Sequence, residues 1–224
     1  MLTRHSLVWL SSAGWQAAAE GMTPPQRAAL AQWQQADWPA VLRRQEAGTA
    51  VDQVCLGLPL PPDADGHKIR IPFKADSSAI RRIEPPLALH SALAHAPSWW
   101  LGPLHAFAED CQRIGITMRI YGSWSWQILT RQNYLTLTSD IDLLFAPKNA
   151  DELSCGLGLL EQYAAHLPLD GEIVFADGQA VAWKECQQAL QLAGQQKVLV
   201  KSETGVKLAT LSTLIAGLEG VALT

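Results

Sequence analysis

Residues 139 to 145, Ser-Asp-Ile-Asp-Leu-Leu-Phe, set two carboxylates two positions apart into a short apolar run. Few folds tolerate that. A run so rich in Ile, Leu and Phe reads as a strand with a buried face. Successive strand side chains point to opposite faces, which groups Ile141, Leu143 and Phe145 on one side and Asp140 with Asp142 on the other. The apolar side requires a layer of helices. The acidic side requires a cation, because an unpaired buried charge is costly and otherwise neutralises by taking up a proton. All-oxygen ligands of this kind suit a hard divalent ion, Mg2+ or Mn2+, which keeps positions open for water and phosphate oxygens.

The surrounding order of elements agrees with a sheet covered by helices. Apolar residues at 101, 104, 107, 108 and 111 follow the i, i+3, i+4 spacing of an amphipathic helix, with Gly115 as its stop. A strand is expected over 116–122, a short helix over 123–132 and the acidic strand over 139–145. A third helix follows Asn149, Gly-Glu-Ile-Val-Phe and Ala-Val-Ala-Trp flank Ala-Asp-Gly as a hairpin, and a helix, a strand and a last helix over 205–218 finish the chain. Such alternation predicts helices packed on a sheet. Before it, strands are expected at 4–10, 39–45, 54–60 and 68–73, with one helix over 23–38 that opens on Thr23 and two prolines. Periodicity fades between 74 and 88, and Pro85-Pro86 marks the expected boundary between an N-terminal α+β domain, 1–86, and a second domain, 87–224. The fold class expected for the whole is α/β or α+β.

Upstream of the aspartates, Gly122-Ser123 falls where a strand ends and a helix begins, 17 residues before Asp140. The free backbone N–H groups and the positive end of the helix dipole can hold a phosphate there, and a Cβ at position 122 would block its approach. Each half alone is commonplace. Together they describe a site for phosphoryl or nucleotidyl transfer, in which amides fix the leaving phosphates while aspartate-bound metal neutralises charge.

This pairing resembles the nucleotidyltransferase superfamily, with its DNA polymerase beta-like fold, whose hallmark is a Gly-Ser followed by Asp-x-Asp on the next strand. The resemblance implies a third acid on a later strand, completing the metal site with Asp140 and Asp142. Asp170 and Glu172 both qualify, and Glu172, followed by Ile-Val-Phe, is the first choice. A narrower similarity runs over RHSLVWL, GLPLPP with its basic strand, YGSWSWQILT, SDIDLLF, LDGEIVFADGQAVAWKE and VLVKSETGVKL. These segments look like the malonate decarboxylase holo-acyl-carrier-protein synthase family, also called phosphoribosyl-dephospho-CoA transferase. That resemblance implies 2'-(5''-triphosphoribosyl)-3'-dephospho-CoA as substrate, a serine of the acyl carrier protein as nucleophile and pyrophosphate as leaving group.

A triphosphate needs cations beyond the metal. Lys68 and Arg70 share a face if 68–73 is a strand, and Lys201 precedes Ser-Glu-Thr-Gly, a turn of phosphate-facing appearance. These three are the expected substrate contacts, and the N-terminal domain that carries the first two is expected to bind the substrate or dock the carrier. Most surface Lys and Arg are simply solvated. Trp124 and Trp126 sit inside the Gly-Ser segment, where core packing is the commoner role and at most one could reach an adenine.

Charge excludes other classes. The chain carries a net charge of -4, from 9 basic and 8 acidic residues up to residue 88 and 8 against 13 beyond it, so +1 and -5. Nothing there offers the basic face that duplex nucleic acid requires. No apolar stretch approaches the ~20 residues of a membrane span. Four cysteines without Cys-x-x-Cys spacing suggest free thiols and a cytoplasmic location, and the six histidines show no zinc spacing. Two alternatives stay open: a nucleotidyltransferase that uses ATP, and a binding module that keeps the fold without the chemistry.

Overall fold

Alternation of polar and apolar residues builds the first of two sheets. The computed structural model describes residues 3–192 and 196–219, and the chain divides into two compact units. The first takes the residues up to Pro86 together with Leu129–Tyr134 and Glu203–Gly205. Its strands are β1 (Leu7–Leu10), β2 (Ala40–Leu42), β3 (Gln53–Pro59), β4 (Arg70–Asp76) and β5 (Ile80–Glu84), in the antiparallel order β4-β3-β2-β1-β5. In β4, Ile71, Phe73 and Ala75 turn inward while Arg70, Pro72 and Asp76 face solvent. Helices α1 (Ser12–Ala19) and α2 (Pro24–Ala36) cover the sheet, and Trp15, Leu30 and Trp33 join Val8, Leu56 and Phe73 in one core. Thr23 and Gln26 form the capping box that starts α2.

Two elements here were not expected from sequence. Helix α1 has only eight residues, too few for periodicity to declare itself, and is started by Ser11, whose side chain accepts from Gly14 N at 3.2 Å. Strand β5 carries Arg81 and Arg82 and pairs with β1. Arg82 lies 3.7 Å over the Trp9 ring and 3.4 Å from Glu84, while Arg81 is bonded to Asp37. Those two cations thus have structural partners. The outlying segments of this unit are also tied in: Tyr134 donates its hydroxyl hydrogen to Pro59 O at 2.7 Å, and Gln45 N donates to Glu203 O at 2.8 Å.

The second unit takes Leu87–Ile128, Leu135–Ser202 and the residues from Val206 on. Seven strands run in the order β12-β11-β10-β9-β8-β7-β6. They are β6 (Leu87–Ala88), β7 (Met118–Ile120), β8 (Ile141–Phe145), β9 (Leu169–Val174), β10 (Ala180–Ala182), β11 (Lys197–Lys201) and β12 (Val206–Thr210). All neighbours are antiparallel except β8 and β9, whose parallel pairing uses the crossover helix α6 (Ala150–Ala164), capped by Asn149. The remaining helices are α3 (Leu89–Ala92), α4 (Leu101–Arg113), α5 (Gly122–Thr130, of which the residues to Ile128 belong to this unit), α7 (Trp183–Gln191) and α8 (Leu211–Glu219). Ile141, Leu143, Phe145, Leu169, Ile173, Val181, Val198 and Val200 share one sheet face and pack in a single cluster with the buried sides of α4, α6, α7 and α8. The opposite face of the same strands carries the polar residues.

The last helix expected over 205–218 is half strand. Val206–Thr210 pairs residue for residue with Lys197–Lys201, and only from Leu211 does the chain turn helical. Val206 and Thr210 are β-branched, and a ready antiparallel partner five residues upstream outweighs the helical spacing of the leucines. Among the described residues the architecture is mixed α/β, with two sheets and eight α-helices.

Candidate active site

The polar face of the second sheet gathers the acids that the sequence singles out. At its centre β7 ends, Tyr121 N donates to Asp142 O at 3.0 Å, and the chain turns into α5 at Gly122. Gly122 has φ +69, and a Cβ there would stand 1.9 Å from Asp142 Oδ2. The glycine is required, but the nearest obstacle is the aspartate of the second motif, where sequence reasoning placed a phosphate. Ser123 follows, half-buried in the first turn of α5, and Ser125 donates its hydroxyl hydrogen to Gly122 O at 3.0 Å. Trp124 faces the core, edge-on to Trp100 with centroids 5.7 Å apart, its Nε1 donating to His95 O at 3.3 Å. Trp126 is buried as well.

The aspartates are not equivalent. Asp140 lies exposed in the loop just before β8, outside the strand expected to hold it, because Pro168 O takes the hydrogen bond of Ile141 N and the ladder begins there. Asp142, half-buried, is the second residue of β8. Its register partner across the parallel pair is Asp170. Partners on neighbouring strands point to the same face about 4.8 Å apart, so these two carboxylates stand side by side. Lys184 Nζ is 3.7 Å from Asp170 Oδ1, a pair more than half exposed on the lysine side and therefore weak.

Glu172, the first choice for the third acid, sits one pleat further along, opposite Leu144 on one side and Ala182 on the other. It is 5% exposed, and its Oε1 accepts from Lys201 Nζ at 2.7 Å. Gly171, between Asp170 and Glu172, has φ +135 and lies against the Leu143 backbone, where a Cβ would come within 1.9 Å of Leu143 O. Among the described residues the carboxylates of β8 and β9 do not close into a trio of ligand atoms within 4.8 Å; Asp63, Asp65 and His67 do. That trio is exposed on the turn between β3 and β4. Asp63 Oδ1 accepts there from Asp65 N at 3.0 Å and from His67 N at 2.8 Å, as a turn-forming aspartate does.

Of the expected basic contacts, Lys201 is on the acidic face, since Ala180, its partner on β10, has the parity of Ala182 and Glu172. Lys68 is exposed in the loop before β4 and Arg70 is the exposed first residue of that strand, so the shared strand face expected for them does not form. Arg119, absent from the residues expected at the site, is placed on the acidic face by its register with Leu144. Its signal was present: Arg119 alone is polar between Met118 and Ile120 on a short strand.

Comparison with known proteins matches both halves of the chain. Residues 3–86 fit the family described as phosphoribosyl-dephospho-CoA transferase MdcG N-terminal domain, and residues 87–212 fit its C-terminal domain. A phosphoribosyl-dephospho-CoA transferase of Xanthomonas campestris pv. campestris is 38% identical over 212 residues, 93% of this chain and 94% of that protein. One from Bradyrhizobium diazoefficiens is 34% identical over 221 residues, 97% and 94% of the two chains. A third, from Xanthomonas axonopodis pv. citri, is 34% identical over 211 residues, 93% and 94%. No solved structure matches. With an acidic sheet face served by a glycine-led helix, the protein is an enzyme of the transferase class. Its membership is in the phosphoribosyl-dephospho-CoA transferase family, along nearly the whole chain.

Proposed function

We propose that the enzyme moves the 2'-(5''-phosphoribosyl)-3'-dephospho-CoA group from its triphosphoribosyl precursor to a serine of the malonate decarboxylase acyl carrier protein, releasing pyrophosphate. The observation that carries this reading is the apposition of Asp142 with Gly122 on one side and Asp170 on the other. It is the arrangement expected of a nucleotidyltransferase fold, and the relatives' shared name supplies the group transferred.

In this reading Asp140 and Asp142 hold Mg2+ or Mn2+, and Asp170, the register partner of Asp142, takes the third place in preference to Glu172, the first choice from sequence, which lies one pleat beyond and is bonded to Lys201. The fit rests on two adjacent carboxylates of like charge on one sheet face, an all-oxygen donor set whose mutual repulsion a hard cation relieves. When bound, the metal neutralises charge on the phosphates. The chain's own groups do the rest. Backbone N–H groups at the start of α5 and the Ser123 hydroxyl hold the leaving pyrophosphate. Lys68 and Arg70, exposed on the first unit, serve substrate binding or carrier docking. The carrier serine attacks the α-phosphate in line: its Oγ–P bond forms as the P–O bond to pyrophosphate breaks, and the serine proton passes to a carboxylate of the acidic face. The four free cysteines fit a cytoplasmic setting, and no helix among the described residues is long and apolar enough to cross a membrane.

The test compares pyrophosphate release from the triphosphoribosyl compound and from ATP, each with the apo carrier present. Release from the former alone is expected. Release from ATP alone favours an adenylylating enzyme, and release from neither removes the catalytic reading.

A further inference from the structure

We propose that Glu172 is a positioning residue, whose buried carboxylate holds the Lys201 ammonium on the acidic sheet face so that Lys201 can take a phosphate oxygen of the substrate. This deepens the reading above and rests on it for the nature of the ligand. Three observations carry it. The pair is short, 2.7 Å between Lys201 Nζ and Glu172 Oε1. It is also asymmetric, with the Glu172 side chain 5% and the Lys201 side chain 31% exposed, so the carboxylate is the buried member of the pair. An ammonium has three N–H donors, and the bond to Glu172 uses one.

Placement decides what the remaining donors meet. Glu172 and Lys201 are two strands apart, and β10 between them presents only Ala180 and Ala182 on that face, small enough for two long side chains to meet above it. Glu172 shares the face with Asp142 and Asp170 but lies one pleat beyond their row, opposite Leu144, which sets it apart from the acids proposed to hold metal. A buried ion pair is a poor way to gain stability, since apolar residues of similar size serve as well or better. Fixing a cation beside phosphates gives the pair a use, because a held ammonium needs no reorganisation when the ligand arrives.

The test measures binding of inorganic tripolyphosphate by calorimetry in the presence of Mg2+, with the Mg2+ half-saturation of that binding as a second readout. Wild type, K201M, K201R, E172Q and the neutral double variant E172Q/K201M are compared, each first shown to melt cooperatively. The full chain is expected to bind. K201M and E172Q should each weaken binding at least tenfold, the double variant no more than the worse single, and K201R within about threefold of wild type, all with Mg2+ half-saturation unchanged. If E172Q does not fold, the double variant and K201R decide the matter, because the former removes both charges together. No binding by wild type, or K201M binding within twofold of it, overturns the proposal. So does a tenfold shift in Mg2+ requirement for E172Q, which would make Glu172 a metal ligand. Wild type that binds tripolyphosphate with this pattern yet transfers nothing to a carrier would leave the pair standing and remove the proposed function instead.

Discussion

Gly122 and Asp142 occupy each other's space: a methyl group on the first would lie 1.9 Å from Oδ2 of the second. Two motifs 20 residues apart are thereby locked into one site, and Tyr121 N bonding to Asp142 O at 3.0 Å fixes the same junction through the backbone. The locked pair ties the start of α5 to the acidic face, and it is the feature most open to test.

Gly122→Ala should cost both stability and activity. A non-glycine residue at positive φ costs about 1–2 kcal/mol, and displacing Asp142 adds a misplacement worth roughly a hundredfold in rate. Gly21 makes the control, because it has φ +73 with no atom within 4 Å of a built Cβ. Melting curves and transfer rates of both variants should show a similar loss of stability, with the large rate loss confined to Gly122→Ala. Equal rates in the two would remove the interlock.

Asp170 should behave as a partner of Asp142. Asp170→Asn is expected to raise the Mg2+ needed for half-maximal rate by about tenfold or more, a change of roughly 1.4 kcal/mol, whereas Asp177→Asn in the β9–β10 turn should change nothing. Mg2+ titrations of the two variants check this. An unshifted Asp170→Asn would send the search for the third acid elsewhere on β9.

Trp124 should prove structural. Fully buried against Trp100, it is expected to cost about 3–5 kcal/mol on replacement by Ala. Trp99, half exposed, should cost within about 0.5 kcal/mol. Denaturant unfolding measures both, and a Trp124→Ala protein of normal stability but weak substrate binding would restore the base-stacking role.

Cys155 is exposed while Cys55, Cys111 and Cys186 are buried, and burial pushes the Cys111 and Cys186 thiols up to about 12. A thiol is reactive only as thiolate. Native protein at pH 8 should therefore take up one equivalent of a thiol reagent quickly, mapped to Cys155 by peptide mass, and the other three only on unfolding. Rapid labelling of Cys111 or Cys186 would show that the helix layer opens.

Much of this architecture is written in local pattern. Clean two-residue alternation in Arg70–Asp76, the capping box at Thr23 and the helical spacing from 101 to 111 each name their element without help from the rest of the chain. What escaped depends on partners outside the element itself. Strand β5, with two arginines, is a strand because β1, Trp9 and Asp37 receive it. Val206–Thr210 is a strand because β11 lies alongside it. The same limit applies at the site. Gly122, Ser123, Asp140 and Asp142 are legible as a motif, but which of Asp170 and Glu172 stands beside Asp142 depends on the β8–β9 register, and no spacing in the sequence states a register. Lys184 approaches Asp170 from a helix 14 residues downstream and has no local signal at all.

The proposed reaction is transfer of phosphoribosyl-dephospho-CoA to a carrier serine in one direct step on the acidic face of the seven-stranded sheet. Intact-mass spectrometry of the apo carrier protein, after incubation with enzyme, the triphosphoribosyl substrate and Mg2+, reads this without an indirect reporter. Expected are a carrier heavier by one phosphoribosyl-dephospho-CoA unit with wild-type enzyme, no gain when the carrier serine is alanine, no gain with Asp142→Asn, and no adduct on the enzyme when carrier is withheld. An enzyme-bound adduct that passes to added carrier, or a full mass gain with Asp142→Asn, would contradict it.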